Sequence, residues 1–413
     1  MSGAHGARRE PVDVAIVGGG VIGAASAYHL ALAAPHLRVA LLEQDHVGSG
    51  STARSFAAYR KQFRSRVHVL SSVVSQRELE RFEALAGADV GLRQIGYLFL
   101  YRDEDALAQA AGAVALQREC GVDDVEVLTG AEVARRFPFV DGGVRGATWC
   151  PSDGYLDPWG MAVGYAEAAR RQGVDVRVGA RVADLVLEGG RVAGVLLADG
   201  TVQPAGQVVL ATGAWTRRLA PVVPITPVKR YVYTSPRIRG RDVSAFPMTV
   251  LDLGPYVRSE ARESLAWGFD ERPTEPTGAE AAARPGLPDE PDYAVEPGFG
   301  RDHDEYGYEI LLRLSEAIGF FLEEEVGIAD AACGYYEVTP DHRVVIDHVP
   351  DRPGLVVAAG ASGHGIMHAP AYGMLVADLL LDRPARIEGA REAYALGPLL
   401  RGEARPDPET MII

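Results

Sequence analysis

The sequence predicts an α/β fold whose first 45 residues form a β-α-β unit. An apolar run at residues 12–17 precedes three glycines, and an alanine-rich helical stretch follows to about Ala34. A second apolar run at 39–42 then ends on Glu43. Short apolar runs of this kind are typical of buried strands, and glycines between strand and helix indicate a tight turn. The 413 residues leave room for at least one further domain.

The glycine-rich turn has the spacing GxGxxG, filled by Gly18, Gly20 and Gly23. The first glycine makes the tight turn, the second lets the backbone approach a pyrophosphate, and the third allows close packing of the helix. Val21 and Ile22 open the helix, whose N-terminus directs its partial positive charge at the phosphates. A glycine-rich turn of purely structural purpose is the alternative.

Two further stretches complete the dinucleotide hypothesis. Glu43, with Gln44 beside it, follows the second strand, and its carboxylate would accept hydrogen bonds from ribose hydroxyl groups. Later, an apolar strand at 208–210 ends in Ala211, Thr212 and Gly213, with Trp215 two residues beyond. That ending resembles the second dinucleotide-contacting strand of FAD proteins more than that of NAD dehydrogenases, so the two motifs together favour FAD.

Composition and charge exclude several classes of protein. The 41 lysines and arginines against 56 aspartates and glutamates give a net charge of −15, which repels nucleic acid and anionic membrane surfaces. The three cysteines, Cys120, Cys150 and Cys333, are too far apart for a CxxC metal site and too few for a disulfide framework. No run of 18 apolar residues occurs, and residues 1–10 lack a signal-peptide pattern, so we expect a soluble cytoplasmic protein. The oligomeric state stays open.

Residues 270–305 differ in composition from the rest of the chain. They contain six prolines and eleven acidic residues against three arginines. Such a composition is typical of a solvated loop, and here it indicates either a lid over a substrate site or a surface excursion without a role.

Six motifs, taken in order, now make a resemblance specific. Besides the two glycine motifs they are Gly48-Ser-Gly-Ser-Thr-Ala-Arg-Ser55, Asp153-Gly-Tyr-Leu-Asp-Pro158, Gly334-Tyr-Tyr-Glu-Val-Thr-Pro-Asp341 and Gly360-Ala-Ser-Gly-His-Gly-Ile-Met367. Together they resemble the D-amino acid oxidase superfamily of flavoproteins, nearest the sarcosine oxidase and dimethylglycine dehydrogenase-like branch. The resemblance covers nearly the whole chain.

The resemblance implies a Rossmann-type FAD-binding domain with an inserted α+β substrate domain built on an antiparallel sheet. Residues 10–90, 151–222 and 331–400 would form the FAD-binding domain, and residues 91–150 and 223–330 the substrate domain. It also implies oxidation of the C–N bond of an amine or N-alkyl amino acid by hydride transfer to flavin N5. Oxygen or an electron carrier would then reoxidise the flavin, and no metal is implied.

The resemblance also supplies the remaining candidate FAD contacts. In the first group, Ser51, Thr52, Arg54 and Ser55 follow the second strand, and Val182 lies on a later strand. The second group precedes and opens a helix near the end of the chain: Gly363, His364, Gly365, Ile366 and Met367. Amides of this second group would face the negative charge that develops on the reduced flavin.

Departures from the family pattern bear on the substrate. Where the D-amino acid and glycine oxidases hold a carboxylate-binding arginine, this chain has Tyr336, and where monomeric sarcosine oxidase holds a carboxylate-binding lysine, it has Met367. The lysine credited with oxygen activation would fall near Ala266. The cysteine that tethers FAD would align with Gly334, one position from Cys333, so we expect non-covalent FAD because neighbouring strand residues face opposite ways.

A substrate carboxylate would still need a cation, and the sequence offers Arg60 and Arg258. Tyr256, Tyr336 and Met367 would line an apolar pocket with hydroxyl groups at its edge, and the imidazole of His364 is a candidate for proton handling.

Three other hypotheses remain open at this point. A tailoring flavoenzyme of specialised metabolism would oxidise a larger amine, and a non-catalytic flavoprotein assembly factor would have a pocket filled by its own side chains. A nicotinamide-dependent dehydrogenase is the third, disfavoured by the strand that ends in Ala211.

Overall fold

The computed structural model describes residues 7–268, 303–323 and 326–409. Within these ranges, no helix is both long and apolar enough to cross a membrane. The predicted acidic lid at 270–305 lies outside the described residues except for its last three positions.

The β-α-β unit predicted at the start of the chain is present, and further strands and helices follow it. In chain order the strands are β1 (Val12–Val17), β2 (Val39–Leu42), β3 (Ala58–Tyr59), β4 (Tyr97–Tyr101), β5 (Glu126–Thr129), β6 (Gly146–Cys150), β7 (Gly154–Tyr155), β8 (Asp175–Arg177), β9 (Val182–Glu188), β10 (Arg191–Leu197), β11 (Val202–Leu210), β12 (Thr226–Thr234), β13 (Met248–Leu251), β14 (Tyr256–Ala261), β15 (Ser264–Gly268), β16 (Asp330–Val338), β17 (Val345–His348) and β18 (Leu355–Ala359). The helices are α1 (Val21–Ala33), α2 (Arg66–Leu79), α3 (Phe82–Ala86), α4 (Glu104–Glu119), α5 (Gly130–Arg136), α6 (Pro158–Arg171), α7 (Thr216–Leu219), α8 (His303–Ser315), α9 (Phe320–Glu323), α10 (Gly365–Leu380), α11 (Ala390–Ala393) and α12 (Gly397–Leu400).

The first sheet has the strand order β17-β18-β11-β1-β2-β8, and its central pairs are parallel. Strands β1, β2 and β18 are almost wholly buried, which explains their continuous apolar sequences. Strands β9 and β10 form an antiparallel hairpin, and β10 pairs with the first residues of β11. The turn of the hairpin holds Gly189 and Gly190, both at positive φ, a conformation that glycine adopts without strain.

Helix α1 lies buried between the sheet and two other helices. It packs against α10 and α6, and eleven of its residues are buried. Gly23 permits the contact of the helix with the turn below it, because a Cβ there would lie 1.9 Å from the carbonyl oxygen of Gly18. Gly373 of α10 serves the same purpose on the other side, where a Cβ would lie 2.6 Å from the backbone of Ala25.

The second sheet has the strand order β16-β12-β15-β14-β13-β4-β6-β5 and is antiparallel except for the pair β13–β4. Its core, which includes Tyr233 and Trp267, packs against Leu314 of α8. The α/β fold with an antiparallel second sheet is therefore confirmed. The division into domains stays a prediction, and β16 pairs with the second sheet although its residues follow the predicted boundary at 331.

Candidate functional site

A cavity of about 1070 Å³ is lined by residues of both sheets. Most of the residues that the sequence singled out lie on its wall. From the cofactor candidates these are Gly18, Gly20, Val21, Ile22, Glu43, Gln44, Ser51, Thr52, Arg54, Ser55, Val182, Ala211, Thr212, Gly213, Trp215, Gly363, Gly365 and Ile366. From the predicted catalytic residues, Tyr256 and Tyr336 lie there too.

The N-terminus of α1 opens onto this cavity. Gly18 has φ +103°, and a Cβ there would lie 2.4 Å from the carbonyl oxygen of Ala211, so glycine is required at the turn. Gly20 precedes the helix in an extended conformation. The amide of Val21 donates a hydrogen bond to Thr52 Oγ1 at 3.1 Å. The helix end and the Thr52 loop are thus held together at a place suited to an anion.

Glu43 also lines this cavity. Its Oε2 accepts a hydrogen bond from the amide of Gly19 at 2.6 Å, and its Oε1 accepts one from the amide of Asp45 at 2.9 Å. Burial raises the pKa of the Glu43 carboxyl group, although the amides of Asp45 and Gly19 act against this rise. The carboxylate therefore fixes the glycine turn and lies at the cavity, where ribose hydroxyl groups were predicted to bind.

Arg54 secures the loop that carries Ser51 and Thr52. Its Nη1 donates hydrogen bonds to the carbonyl oxygens of Ser49 and Gly50, the second at 3.0 Å. A Cβ built on Gly334 would lie 3.1 Å from the Cβ of Arg54, so the absence of a side chain at position 334 lets the loop approach β16. The arginine holds its own loop in place while it lines the cavity.

Two further glycine-containing turns line the cavity. Gly363 has φ +88°, and a Cβ there would lie 2.3 Å from the ring of Tyr336, so the tyrosine packs directly on the turn. Gly213 has φ +54°. Just beyond it, the ring of Trp215 meets the ring of Tyr335 edge to face at 5.4 Å.

The second sheet contributes aromatic rings and a cation. The ring of Tyr256 lies edge to face with Phe56 at 4.8 Å between centroids. Arg230 on β12 lines the cavity with its guanidinium carbon 5.3 Å from the centroid of Tyr336, and it is 8% exposed. A guanidinium can bind a carboxylate through two parallel hydrogen bonds, which makes the recognition geometrically specific.

Five predicted residues do not lie on the cavity wall: Gly23, Arg60, Arg258, His364 and Met367. Arg60 is 2% exposed, donates to the carbonyl of Gln62 and lies 3.9 Å from the ring centroid of Phe63. Arg258 lies 4.2 Å from the ring centroid of Tyr155 and pairs with Glu260. The structure therefore places both arginines among protein groups rather than at the cavity.

His364 and Met367 face the protein interior as well. The ring of His364 is 3% exposed and meets Phe63 edge to face at 5.2 Å. Burial, and then the positive charge of Arg60, lowers the pKa of this imidazole far below its usual range, so the ring is neutral. Met367 packs in the core around α1. The residues on either side of His364, Gly363 and Gly365, line the cavity, but His364 itself does not.

The neighbours Cys333 and Gly334 separate as expected for consecutive strand residues. Gly334 lines the cavity, whereas Cys333 is 2% exposed and packs in the core of the second sheet. Cys120 and Cys150 are also buried.

The sequence hypothesis missed five charged residues on the wall: Asp45, Arg181, Arg218, Arg230 and Glu337. Arg230 could have been recognised in the sequence. Val228, Arg230 and Val232 are spaced two residues apart along a strand, so their side chains share one face. Glu337 stands within a motif that the sequence had already singled out, between Tyr336 and an apolar residue of the same strand.

Comparison with known proteins identifies the class. Residues 13–379 match the family model described as DAO, FAD dependent oxidoreductase. The chain therefore belongs to this family of FAD-dependent oxidoreductases, and FAD is its cofactor, as the motifs predicted.

Individual proteins similar to the chain agree with this family. It is 27% identical to FAD-dependent oxidoreductase domain-containing protein 1 of Xenopus laevis, over 90% of this chain and 80% of that one. It is 28% identical to 4-methylaminobutanoate oxidase (formaldehyde-forming) of Paenarthrobacter nicotinovorans, over 90% of this chain but 44% of that one. The solved structure of L-proline dehydrogenase from P. horikoshii superposes with a TM-score of 0.81 at 25% identity, covering 96% of this chain and all of that one.

The residues on the cavity wall fit an FAD molecule. A helix N-terminus without a side chain at Gly20, a carboxylate at Glu43 and an aromatic end at Tyr256 provide environments for phosphates, ribose and a flavin ring. Which of these residues contact FAD stays a prediction.

We expect acid denaturation to release the FAD. The thiol nearest in sequence to the tethering position, Cys333, points into the core, so no bond from it to the flavin can form. Precipitation with trichloroacetic acid should therefore leave the yellow colour in the supernatant. Colour retained in the washed pellet would show covalent attachment and contradict this expectation.

Proposed function

We propose that this protein oxidises the C–N bond of an N-alkyl amino acid. The observation that carries the proposal is Arg230, a buried guanidinium on the cavity wall against Tyr336. A buried cation of this kind suits a substrate with a carboxylate, and a flavin cavity suits oxidation at carbon next to nitrogen. Bound FAD supplies the two-electron acceptor for hydride from that carbon.

Arg230 would bind and orient the substrate carboxylate. Guanidinium and carboxylate can form two parallel hydrogen bonds, which fix both the position and the rotation of the substrate. Because the arginine is buried, little water screens this pair, and the attraction is stronger than at an exposed site. Fixing one end of a small substrate also fixes the distance of its reactive carbon from the cofactor.

Tyr256 would form the side wall next to the reacting nitrogen. Val232 of β12 and Tyr256 of β14 both pair with Gly268 of β15, so the three residues form a row across the sheet. A Cβ on Gly268 would lie 2.6 Å from the hydroxyl oxygen of Tyr256, so glycine gives the tyrosine its position. Apolar walls favour the neutral form of an amine, which needs no strong base before hydride transfer.

The names of two similar proteins support this substrate class. Proline is a secondary amine with a carboxylate, and 4-methylaminobutanoate is an N-methyl amino acid. Both therefore combine the two features that an arginine beside a flavin would recognise.

An electron carrier rather than oxygen is the acceptor that we propose. The chain has two lysines in all, Lys61 and Lys229. Lys61 pairs with buried Asp153 at 3.4 Å, and Lys229 lies 5.9 Å from the ring centroid of Tyr335. Neither lysine is among the residues that line the cavity. The resemblance to sarcosine oxidase associates fast reaction with oxygen with a lysine near the flavin.

The side chains beside the predicted flavin site favour catalysis over a purely structural role in assembly. An assembly factor could fill the space next to the flavin with its own side chains, whereas here Tyr256, Tyr336 and Arg230 line the same cavity as the predicted cofactor residues. A larger amine, oxidised by a tailoring enzyme, would need the same cofactor but not Arg230.

An anaerobic titration of the FAD-loaded protein tests the proposal. The panel consists of N-alkyl amino acids, the parent amino acids and the corresponding amines without a carboxylate, and the visible flavin band is followed. We expect N-alkyl amino acids to bleach the band at the lowest concentrations. Bleaching by carboxylate-free amines alone would support the tailoring hypothesis, and no bleaching by any member would support the assembly role.

A further inference from the structure

The last described residues of the chain pack back onto the FAD-binding half of the molecule. Residues 403–409, here called the C-terminal strap, follow α12 and contact the turn after β16, residues 339–343. Within the strap Arg405 is 2% exposed and Glu409 is 4% exposed. Charged side chains are almost never buried to this extent unless they are paired. The partners of the strap therefore show what it holds in place.

Arg405 joins the strap to the 339–343 turn. Its Nε donates a hydrogen bond to Asp341 Oδ2 at 2.6 Å, and its Nη2 donates one to Asp341 Oδ1 and another, at 2.8 Å, to the carbonyl oxygen of Arg343. Its Nη1 donates to the carbonyl oxygen of Val344 at 2.9 Å. A guanidinium that uses all three of its nitrogens in this way fixes the orientation of its partners as well as their position.

The charges at this contact require both partners. Burial by itself raises the pKa of the Asp341 carboxyl group, but the hydrogen bond and charge of Arg405, followed by the charge of Arg343, lower that pKa below its usual value. Arg343 is 1% exposed and donates to Asp341 Oδ2 at 2.7 Å. The carboxylate is therefore ionised between two guanidinium groups, and loss of Arg405 would leave it with one.

The far end of the strap is held by the start of α2. Asp407 Oδ2 accepts hydrogen bonds from the amide of Val67 at 2.8 Å and from Ser65 Oγ at 2.9 Å. Glu409 Oε2 accepts hydrogen bonds from the amides of Arg64 at 3.0 Å and of Ser65 at 3.1 Å. Amides at the start of a helix have no partner within the helix. The two carboxylates therefore cap α2 from the other end of the chain, and they keep Arg405 in place.

The 339–343 turn is bonded in the other direction to the turn that precedes α10. Thr339 Oγ1 donates a hydrogen bond to the carbonyl oxygen of Arg343 at 2.8 Å, and the amide of Thr339 donates one to Ser362 Oγ at 3.2 Å. Ser362 has φ +51°, a conformation that a residue other than glycine keeps only where its surroundings hold it. The next residue, Gly363, lines the cavity, whereas Thr339 and Ser362 do not.

We propose that Arg405 is a positioning residue of the FAD site. Through the 339–343 turn it holds Ser362, and thereby the glycine turn that borders the cavity. Docking of the strap and binding of FAD are therefore coupled. The inference rests on FAD as the cofactor and is independent of the substrate, so failure of the amine titration would leave it standing.

The coupling follows from the conformation of Ser362. Without Arg405 the 339–343 turn can shift, and Ser362 can relax from its left-handed conformation. The apoprotein would then divide its population between turns that match the cofactor and turns that do not. The apparent affinity for FAD falls by the fraction of molecules that still match.

Titration of the apoprotein with FAD, followed by quenching of flavin fluorescence well below the unfolding temperature of each variant, tests the proposal. Arg405→Met keeps an unbranched apolar side chain and removes the guanidinium, and we expect the dissociation constant of FAD to rise about tenfold. Arg401→Met is the matched control, because Arg401 lies close by in the chain, is exposed and pairs with Glu403 at the surface. It should bind FAD like the wild type. A lower unfolding temperature of Arg405→Met with an unchanged dissociation constant would reduce Arg405 to a stabilising residue and overturn the proposal.

A double-mutant cycle tests the route. Ser362→Ala removes the oxygen that accepts from the amide of Thr339, and it should raise the dissociation constant of FAD by about tenfold as well. If Arg405 acts through Ser362, then adding Arg405→Met to Ser362→Ala should change the dissociation constant by less than about twofold further. Two losses that multiply to about a hundredfold would show independent effects and contradict this route.

A measurement on the wild-type chain does not depend on the variants folding. Because coupling is reciprocal, saturating FAD should slow hydrogen exchange at the hydrogen-bonded amides of His342 and Arg343 by at least about fivefold, although neither residue lines the cavity. The amides of Gly121 and Val122, hydrogen-bonded in the turn after α4, serve as the control and should exchange at the same rate with and without FAD. Unchanged exchange at the 339–343 turn, or equal slowing at both turns, would overturn the coupling.

Discussion

Replacing Gly20 with valine is expected to weaken FAD binding by at least about 100-fold, or about 2.7 kcal/mol. Gly20 lines the cavity directly before α1, where the backbone amides offer the positive end of the helix to a phosphate. A valine side chain would occupy that space. The loss should appear as a raised dissociation constant of FAD, measured by fluorescence quenching with the purified apoprotein.

The fold should tolerate this change, because Gly20 has φ −67° and a Cβ there would meet only Thr52 Oγ1 at 3.3 Å. Gly112→Val provides the matched control. Gly112 lies on α4, and a Cβ there would meet nothing within 4 Å. The control should bind FAD like the wild type, and both variants should unfold at similar temperatures. Tight FAD binding by Gly20→Val would show that the phosphates bind elsewhere.

Replacing Arg230 with glutamine should raise the apparent KM for a carboxylate-containing substrate by about 30- to 5000-fold. A buried, charge-assisted pair that loses one partner costs about 2–5 kcal/mol, and glutamine cannot replace the charge. For the same amine without its carboxylate, wild type and variant should differ little. Steady-state rates with both substrates and an artificial electron acceptor measure the difference.

Arg258→Gln separates this hypothesis from the one based on sequence alone. Arg258 is also buried and lies on the second sheet, but its guanidinium lies on Phe56 and Tyr155 and donates to the carbonyl of Ser259 at 2.8 Å. Its replacement should lower the unfolding temperature and leave the KM near the wild-type value. An equal loss in both variants, or an unchanged KM in Arg230→Gln, would rule out Arg230 as the specific carboxylate-binding residue.

The sequence was informative wherever the signal was local. The glycine turn at Gly18 and the strand ending in Ala211 could be recognised because each function requires a particular residue at a fixed spacing. Their meeting in the structure also followed, since parallel strands β1 and β11 are neighbours and bring the two turns together.

The substrate side of the cavity could not be predicted in the same way. Arg230 reaches the cavity because β12 pairs with β16, which brings it opposite Gly334 across about a hundred residues of chain. His364 shows the converse. The glycines on either side of it line the cavity, as the sequence led us to expect. The ring of His364 itself packs against Phe63 in the core.

A single-turnover reaction without oxygen tests the central claim most directly. The FAD-loaded protein is mixed with an amount of N-alkyl amino acid smaller than the amount of flavin, and both the flavin band and the products are quantified. Oxidation of the C–N bond by the flavin predicts one molecule of carbonyl product, formed by hydrolysis of the imine, for each flavin reduced. Complete conversion of the amino acid with no loss of the flavin band, or reduced flavin without a carbonyl product, would contradict the account.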